Sequence, residues 1–284
     1  MNKATFSFLG FGDIEANENS LEKLLDKGLF SYDFVLFTGD VPNPEVFRKL
    51  GKKMVEQGLG DLGNKPNIAR ETEPKEALEQ VEKEFRSIKE FFKEIQKNTR
   101  FIGIWGNADN TKMLRKVPIE RYIEIIHNKI IKIGEFYLIG YNGRPLYIFE
   151  KENKEQWAFP EKEAYNDLEK LFKKLKGEKI IFVTHAPPYR ILDLVVEDYR
   201  KYGALTYGKR AKDGHIGSMA FKKIDEIFKP ILHVFGHIHE SMGMIKVGKT
   251  TFVNTGGIGN DLVCADIRIK DEKVRVNFIN LDKK

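Results

Sequence analysis

At 284 residues with 41% hydrophobic side chains, the chain has enough apolar material for the core of one large α/β domain, which excludes a disordered chain. Its 48 Lys and Arg against 42 Asp and Glu give a net charge of +6, but the charges are interleaved, as in EKEFRSIKEFFKEIQK, which argues against a dedicated nucleic-acid face. A single cysteine, Cys264, excludes an intrachain disulfide framework, and no run approaches about 18 apolar residues, so neither a signal peptide nor a membrane span is expected and the cytoplasm is the default location. Abundant Lys and Glu beside one Cys is also the surface composition of thermophile proteins.

Short apolar runs alternate with helix-like segments. The pattern predicts a strand over Thr5–Leu9, a helix over Ser20–Lys27 and a strand over Phe34–Thr38. Helices over Pro44–Glu56 and Thr72–Asn98 follow; the latter carries Leu78, Val81, Phe85, Ile88, Phe91 and Ile95 on one stripe behind the start signal Thr72 and Pro74. Next come a strand over Phe101–Trp105, a helix over Pro118–Ile126, strands over Ile130–Ile133 and Phe136–Ile139, a helix over Glu161–Lys176 and a strand over Ile180–Thr184. A helix over Ser218–Lys229 precedes strands over Ile231–Phe235, Thr251–Asn254, Leu262–Ile269 and Val274–Ile279. GMIKVGKTTFVN reads as a hairpin turning at Gly248-Lys249, and KDEK as the turn of the last hairpin.

The chemistry lies where these strands end. Leu9 is followed by Gly12-Asp13-Ile14-Glu15, Thr38 by Gly39-Asp40 and Asn43, and Trp105 by Gly106-Asn107-Ala108-Asp109. Thr184 runs into His185-Ala186-Pro187-Pro188, and Phe235 into Gly236-His237-Ile238-His239. Ligands of open α/β sheets gather beyond the carboxyl ends of strands, so these loops can converge. Asp, Asn and His together offer oxygen and imidazole nitrogen, a set suited to Mn, Fe, Zn, Co or Ni rather than to Ca alone. The candidates Asp13, Glu15, Asp40, Asn107, His185, His237 and His239 exceed the need of one tetrahedral ion and suit two divalent ions sharing a carboxylate.

In order and strand context these stretches resemble the calcineurin-like metallophosphoesterases, whose pattern is D-x-H, G-D-x-x-[DN], G-N-H-[DE], a lone His and G-H-x-H. Here they read DIE (13–15), GDVPN (39–43), GNAD (106–109), His185 in THAPP, and GHIH (236–239). HIGS, GHIHES and VNTGG are most similar to an archaeal-type branch. The resemblance spans nearly the whole chain outside residues 43–99. It implies an α/β fold, a four-layer α/β/β/α sandwich of two mixed β-sheets, in a single domain over 1–284. Residues 43–99, with Gly58–Asn67 as their loose stretch, read as a helical insertion between two strands, and its exit from the second motif suggests a lid or dimer contact. The resemblance implies two divalent metal ions, Mn first, with Fe, Zn, Ni or Co as alternatives. By position Asp13 and His239 hold the first, Asp40 bridges, and Asn107, His185 and His237 hold the second; Asp40 and Asn107 are then catalytic as well.

Two positions depart from the pattern. Glu15 replaces the histidine of the first motif; its carboxylate either ligates, hardening the site towards Mn or Fe, or points away and leaves the first ion weak. Ala108 replaces a histidine that in the family helps protonate the leaving group, a contribution typically worth about 10²–10⁴-fold. His215, in DGHIGS, is the candidate catalytic substitute, and the helix start at Gly217-Ser218 offers free N–H groups to a phosphate. Arg144 and Tyr189 are candidate phosphate contacts or packing residues. His233, Asn254 and Cys264 read as structural, Asp109 as a loop anchor, and His127 as the end of a helix.

The expected function is hydrolysis of a phosphodiester, rather than a monoester, in a phosphorylated small molecule or nucleotide, by in-line attack of a hydroxide bridging the two metals. One rival is a degenerate scaffold for protein interaction, motivated by Glu15 and Ala108, which would carry substoichiometric metal. Another is a nuclease, prompted by the basic balance, which would bind DNA or RNA with steep salt dependence.

Overall fold

Two six-stranded sheets face each other in the computed structural model, which describes residues 5–28, 31–43, 75–146, 157–195 and 213–283. The first sheet runs from β14 (Lys273–Asn280) through β13 (Val263–Lys270), β1 (Phe6–Phe11), β2 (Phe34–Phe37) and β3 (Phe101–Gly103) to β4 (Glu124–Ile125). The second runs from β11 (Gly243–Val247) through β12 (Thr250–Asn254), β10 (Leu232–Phe235), β9 (Lys179–Thr184) and β6 (Phe136–Tyr141) to β5 (Lys129–Ile133). Each is mixed. In the first, β1, β2, β3 and β4 are parallel and β13 joins β1 antiparallel; in the second, β6, β9, β10 and β12 are parallel and β5 and β11 flank them antiparallel. A small parallel pair, β7 (Arg144–Pro145) with β8 (Ala158–Phe159), stands apart.

Alternation along the strands sends one set of side chains to each face. Phe8, Phe34, Leu36, Ile102 and Ile104 of the first sheet meet Leu138, Ile181, Val183, Leu232 and Val234 of the second in a dry middle layer. Phe8 and Phe34 stack there at 4.6 Å between ring centroids. Full burial of one such side chain is worth about 1.5–3 kcal/mol, so this layer fixes how the sheets sit on each other.

The outer faces are covered by helices. Leu9, Phe11, Val35 and Phe37 lie under α1 (Glu18–Asp26), α2 (Lys75–Asn98) and α3 (Thr111–Lys116). Ile139, Tyr141, Ile180 and Phe182 lie under α4 (Glu161–Lys174) and α5 (Met219–Phe228). The layers are thus the four expected. Along α2 the buried stripe is Val81, Phe85, Ile88, Phe92 and Ile95, with Phe91 only partly buried beside it. The described half of the 43–99 segment is therefore an outer layer of the sandwich, on the parallel connection from β2 to β3.

The helix expected over Pro118–Ile126 is not formed. A 3-10 turn at Ile119–Tyr122 gives way at Ile123 to extended backbone (φ −137°, ψ 134°), and β4 pairs with β3. The apolar spacing of Ile119, Ile123 and Ile126 suits a helix, but the open edge of β3 offers hydrogen bonds that a strand satisfies. Both hairpins form as expected: Val247 pairs with Thr250 around Gly248 (φ +59°), and Lys270 with Lys273 around Asp271 and Glu272. The helix expected over Pro44–Glu56 lies outside the described residues.

Candidate metal centre

Strands β1, β2 and β3 of one sheet and β9 and β10 of the other end at the same edge of the sandwich, and their loops meet there. Asp13 donates its backbone N–H to Gly39 O at 2.7 Å and Ile14 to Asp40 O at 2.8 Å, which locks the first two loops together. Asp13, Asp40 and His237 all have φ in the left-handed region, at 50°, 63° and 70°. Such backbone costs about 1–3 kcal/mol per residue and persists where surroundings enforce it, commonly at functional sites.

Glycines make the close approach possible. A Cβ on Gly106 would stand 2.1 Å from Asp40 Oδ1, one on Gly39 2.9 Å from His185 Nδ1, and one on Gly236 2.6 Å from Asp13 Oδ2. The glycines before Asp40, Asn107 and His237 are therefore room for a neighbouring ligand-type side chain.

Asp40, His185 and His237 offer ligand atoms all within 4.8 Å of one another. His185 Nδ1 lies 2.8 Å from Thr38 O. A carbonyl only accepts, so Nδ1 carries the proton and Nε2 presents its lone pair. That lone pair faces Asp40 Oδ2 at 3.2 Å and Asn107 Oδ1 at 3.2 Å. Three acceptors directed at one another are unfavourable unless a proton or cation sits between them. Burial pushes His185 down, but the Asp40 and Asp13 carboxylates overcome it and raise its pKa to about 9. A divalent cation satisfies the same three atoms without that proton, so the residues fit a metal. His237 is driven the other way, by burial and by the neighbouring His185 ring 4.8 Å away.

Beside this group, His239 Nε2 lies 3.0 Å from Asp13 Oδ1, and Asp13 Oδ2 accepts the His237 backbone N–H at 3.1 Å. Burial lowers the His239 pKa, but Asp13 and Glu15 raise it to about 9. Glu15 Oε1 stands 4.0 Å from the other ring nitrogen, Nδ1, and its second oxygen accepts from the Asn260 amide. Asp13, Glu15 and His239 are thus neighbours, though less tightly drawn together than the first three.

The supporting residues are less visible in sequence. Asp109 accepts from the backbone N–H of Asp40 (2.9 Å), Val41 (2.8 Å) and Gly106 (2.7 Å), the anchor expected of it. Burial and the Asp40 charge push its carboxyl up to about 7 against those donors. Ala108 has no proton to give from its side chain, but its backbone N–H donates to Asp40 Oδ1 at 2.7 Å. Asn254 binds the carbonyls of Leu192 and Ile238, holding the GHIH loop as expected. Arg144 is buried, donates to Pro145 O and is near enough to help depress His237. Tyr189 meets the His215 ring edge-on.

His215 is not in the carboxylate–histidine group; its Nδ1 pairs with Asp193 Oδ1 at 2.6 Å. The N–H groups at the start of α5 are not free for phosphate: Glu161 accepts from Met219 N at 2.9 Å, Ala220 N at 2.8 Å and Ser218 Oγ at 2.7 Å. A carboxylate from α4 already meets that helix dipole. His127 closes no helix; it packs against Tyr141 and Trp157 and accepts from Asn142 N at 3.0 Å. His233 is structural, lying between Asp225 and Thr184 within β10, and Cys264 is core.

Strand-end carboxylates and imidazoles shared between two stacked mixed sheets define a metal-dependent hydrolase type of architecture. The family model for calcineurin-like phosphoesterases matches residues 6–241, and the chain belongs to that family. An uncharacterized protein of Methanocaldococcus jannaschii is 32% identical over 152 residues, covering 52% of this chain and 60% of that relative, so the alignment spans under two thirds of its length. Among solved structures, a protein of Thermus thermophilus superposes with a TM-score of 0.57 at 14% identity, covering 98% of this chain and 100% of that one. A dimetal phosphatase from Danio rerio gives a TM-score of 0.50 at 10% identity, covering 98% and 99%. At such identities the superpositions establish the fold. Among the described residues, no helix is long and apolar enough to cross a membrane.

Proposed function

We propose that the protein is a binuclear metal-dependent phosphoesterase that hydrolyses phosphodiesters in preference to monoesters, on a phosphorylated small molecule or nucleotide. The observation that carries this is the acceptor cage of Asp40, His185 and Asn107 next to the Asp13–His239 pair. Asp40, His185, His237 and Asn107 would hold one ion, Asp13 and His239 the other, with Asp40 between them. Glu15 faces Nδ1 of His239, the nitrogen turned away from Asp13, and would complete the first position only by swinging across that ring. Bound divalent cations supply positive charge for the phosphate oxygens and make water acidic enough to attack at neutral pH.

The chain's own residues hold that arrangement in place. Ala108 N and the Asp109 carboxylate fix the Asp40 side chain and backbone, and Thr38 O keeps the His185 lone pair turned inward. Asn107 presents its amide oxygen beside them. A methyl group at Ala108 supplies no proton to a leaving group, which favours esters of acidic alcohols or a donor from elsewhere.

Elemental analysis followed by Mn-supplemented hydrolysis of bis-p-nitrophenyl phosphate and its monoester tests the reading. Two ions per chain and faster diester turnover are expected, and Asp40→Ala should abolish that turnover. Near-wild-type hydrolysis by the Asp40→Ala protein would overturn the assignment.

A further inference from the structure

His215 and Asp193 form a pair that the metal-type residues do not explain. The Asp193 side chain is fully buried, while His215 keeps about a quarter of its side chain exposed, at 26%. Asp193 Oδ1 lies 2.6 Å from His215 Nδ1, and its Oδ2 accepts the backbone N–H of Arg190 and of Gly217, both at 2.9 Å. With two fixed donors on one oxygen, the carboxylate can only accept from the ring. Nδ1 therefore carries hydrogen, and Nε2 is the nitrogen left to exchange protons.

The pair stands between the two loops that bear the metal-type histidines. On one side, the chain after His185 is tied to the chain after His215: Ser218 N donates to Pro187 O at 2.8 Å, and Tyr189 N to Ser218 O at 2.9 Å. Gly217 lies so close that a Cβ would meet Pro188 at 2.6 Å, and the Tyr189 ring meets the His215 ring edge-on at 6.0 Å between centroids. On the other side, Leu194 and His215 form an antiparallel bridge, and Leu194 exchanges hydrogen bonds with Ser241 of the GHIHES loop. Ile216 and Val195 pack on Ile238, the residue between His237 and His239. Asn254 ties Leu192 O to Ile238 O. A buried carboxylate held by three donors, set between both histidine loops and orienting a half-open imidazole, is more than surface packing requires.

We propose that His215 is the general acid of this enzyme and Asp193 its positioning residue, together replacing the proton source missing at Ala108; the proposal rests on the phosphoesterase reading. Water gives up one proton to solvent as its oxygen adds to phosphorus, and the bond from phosphorus to the leaving oxygen breaks. The imidazolium passes its Nε2 proton to that oxygen, releasing an alcohol and a phosphomonoester. The neutral ring, its Nδ1–H still donated to Asp193, regains a proton from solvent.

The test compares leaving groups. With Mn present, kcat is measured on bis-p-nitrophenyl phosphate, whose aryl oxygen leaves without a proton, and on a dinucleoside phosphodiester, whose alkyl oxygen needs one. His215→Gln should raise the ratio of aryl to alkyl kcat by about 10²–10⁴-fold. Asp193→Asn should raise it in the same direction and move the alkaline limb of the alkyl-ester pH profile. Equal losses on both esters in His215→Gln would mean a structural role and overturn the proposal. So would a wild-type protein that turns over the aryl ester and leaves the alkyl ester untouched. Failure of the phosphoesterase reading itself looks different: the wild type would hydrolyse neither ester.

Discussion

Asp109 shows how much of a metal site is made by residues that never touch the metal. Its carboxylate receives three backbone N–H groups, two of them from Asp40 and Val41, and so pins the second-motif loop to the third. In Asp109→Asn one of those oxygens becomes an NH₂ group facing N–H donors. Loss of such an outer partner typically costs about 10–100-fold in metal affinity or activity. Titration of the metal-free variant with Mn should show a loss of that size, and an unchanged affinity would remove Asp109 from this role. The candidate ligands were legible because they sit in short stretches at strand ends, four of the five led by glycine and the fifth being His185 in THAPP. Thr38, Asp193 and Glu161 were not, because their roles depend on partners distant in sequence; His185 and Thr38 are 147 residues apart.

At the scale of elements, sequence works where burial is one-sided and fails where local pattern and tertiary pairing compete. The stripe of α2 was readable from Val81 onward except at its Phe pair, where Phe92 rather than Phe91 takes the core position; the Leu78 side chain lies outside the described residues. The segment over Pro118–Ile126 was misread because its spacing fits a helix while β3 had an edge to fill. Turns were read from composition alone, and the last hairpin carries a cost that composition hides. Asp271 and Glu272 both take left-handed backbone, at φ 49° and 60°. An L-residue there costs about 1–2 kcal/mol, whereas an exposed ion pair such as Glu272 with Lys179, at 3.5 Å, contributes about 0–1 kcal/mol. Glu272→Gly removes both and adds chain entropy to the unfolded state. A net stabilisation of about 0.5 kcal/mol is expected, read as a higher urea midpoint at unchanged slope.

Across the whole molecule, the candidate ligands come from both sheets, so the middle apolar layer sets their spacing. That layer was foreseeable as a stack of alternating strands, but the distances across it depend on how Phe8, Phe34, Leu138 and Val183 interlock, which composition does not encode. The arrangement would couple metal to stability, since an ion held by residues of both sheets would bind the folded chain alone. At a free Mn concentration near 100 times its dissociation constant the gain is about 2.7 kcal/mol, roughly 5 °C in a chain of this size. Thermal unfolding in Mn and in chelator should differ by that much, and coincident curves would argue against ions spanning the sheets.

The placement of β1 between β2 and β13 also has a consequence in time. Phe6 pairs with Ile269, so one side of the first strand made has no partner until about 260 more residues have been added. At about 5–20 residues per second, that wait on the ribosome is roughly 13–50 s. Asp13 hangs from the end of this half-paired strand, so the loop that carries it takes its final shape late in translation. Any divalent cation held by Asp13 would then be bound only after β13 has paired with β1.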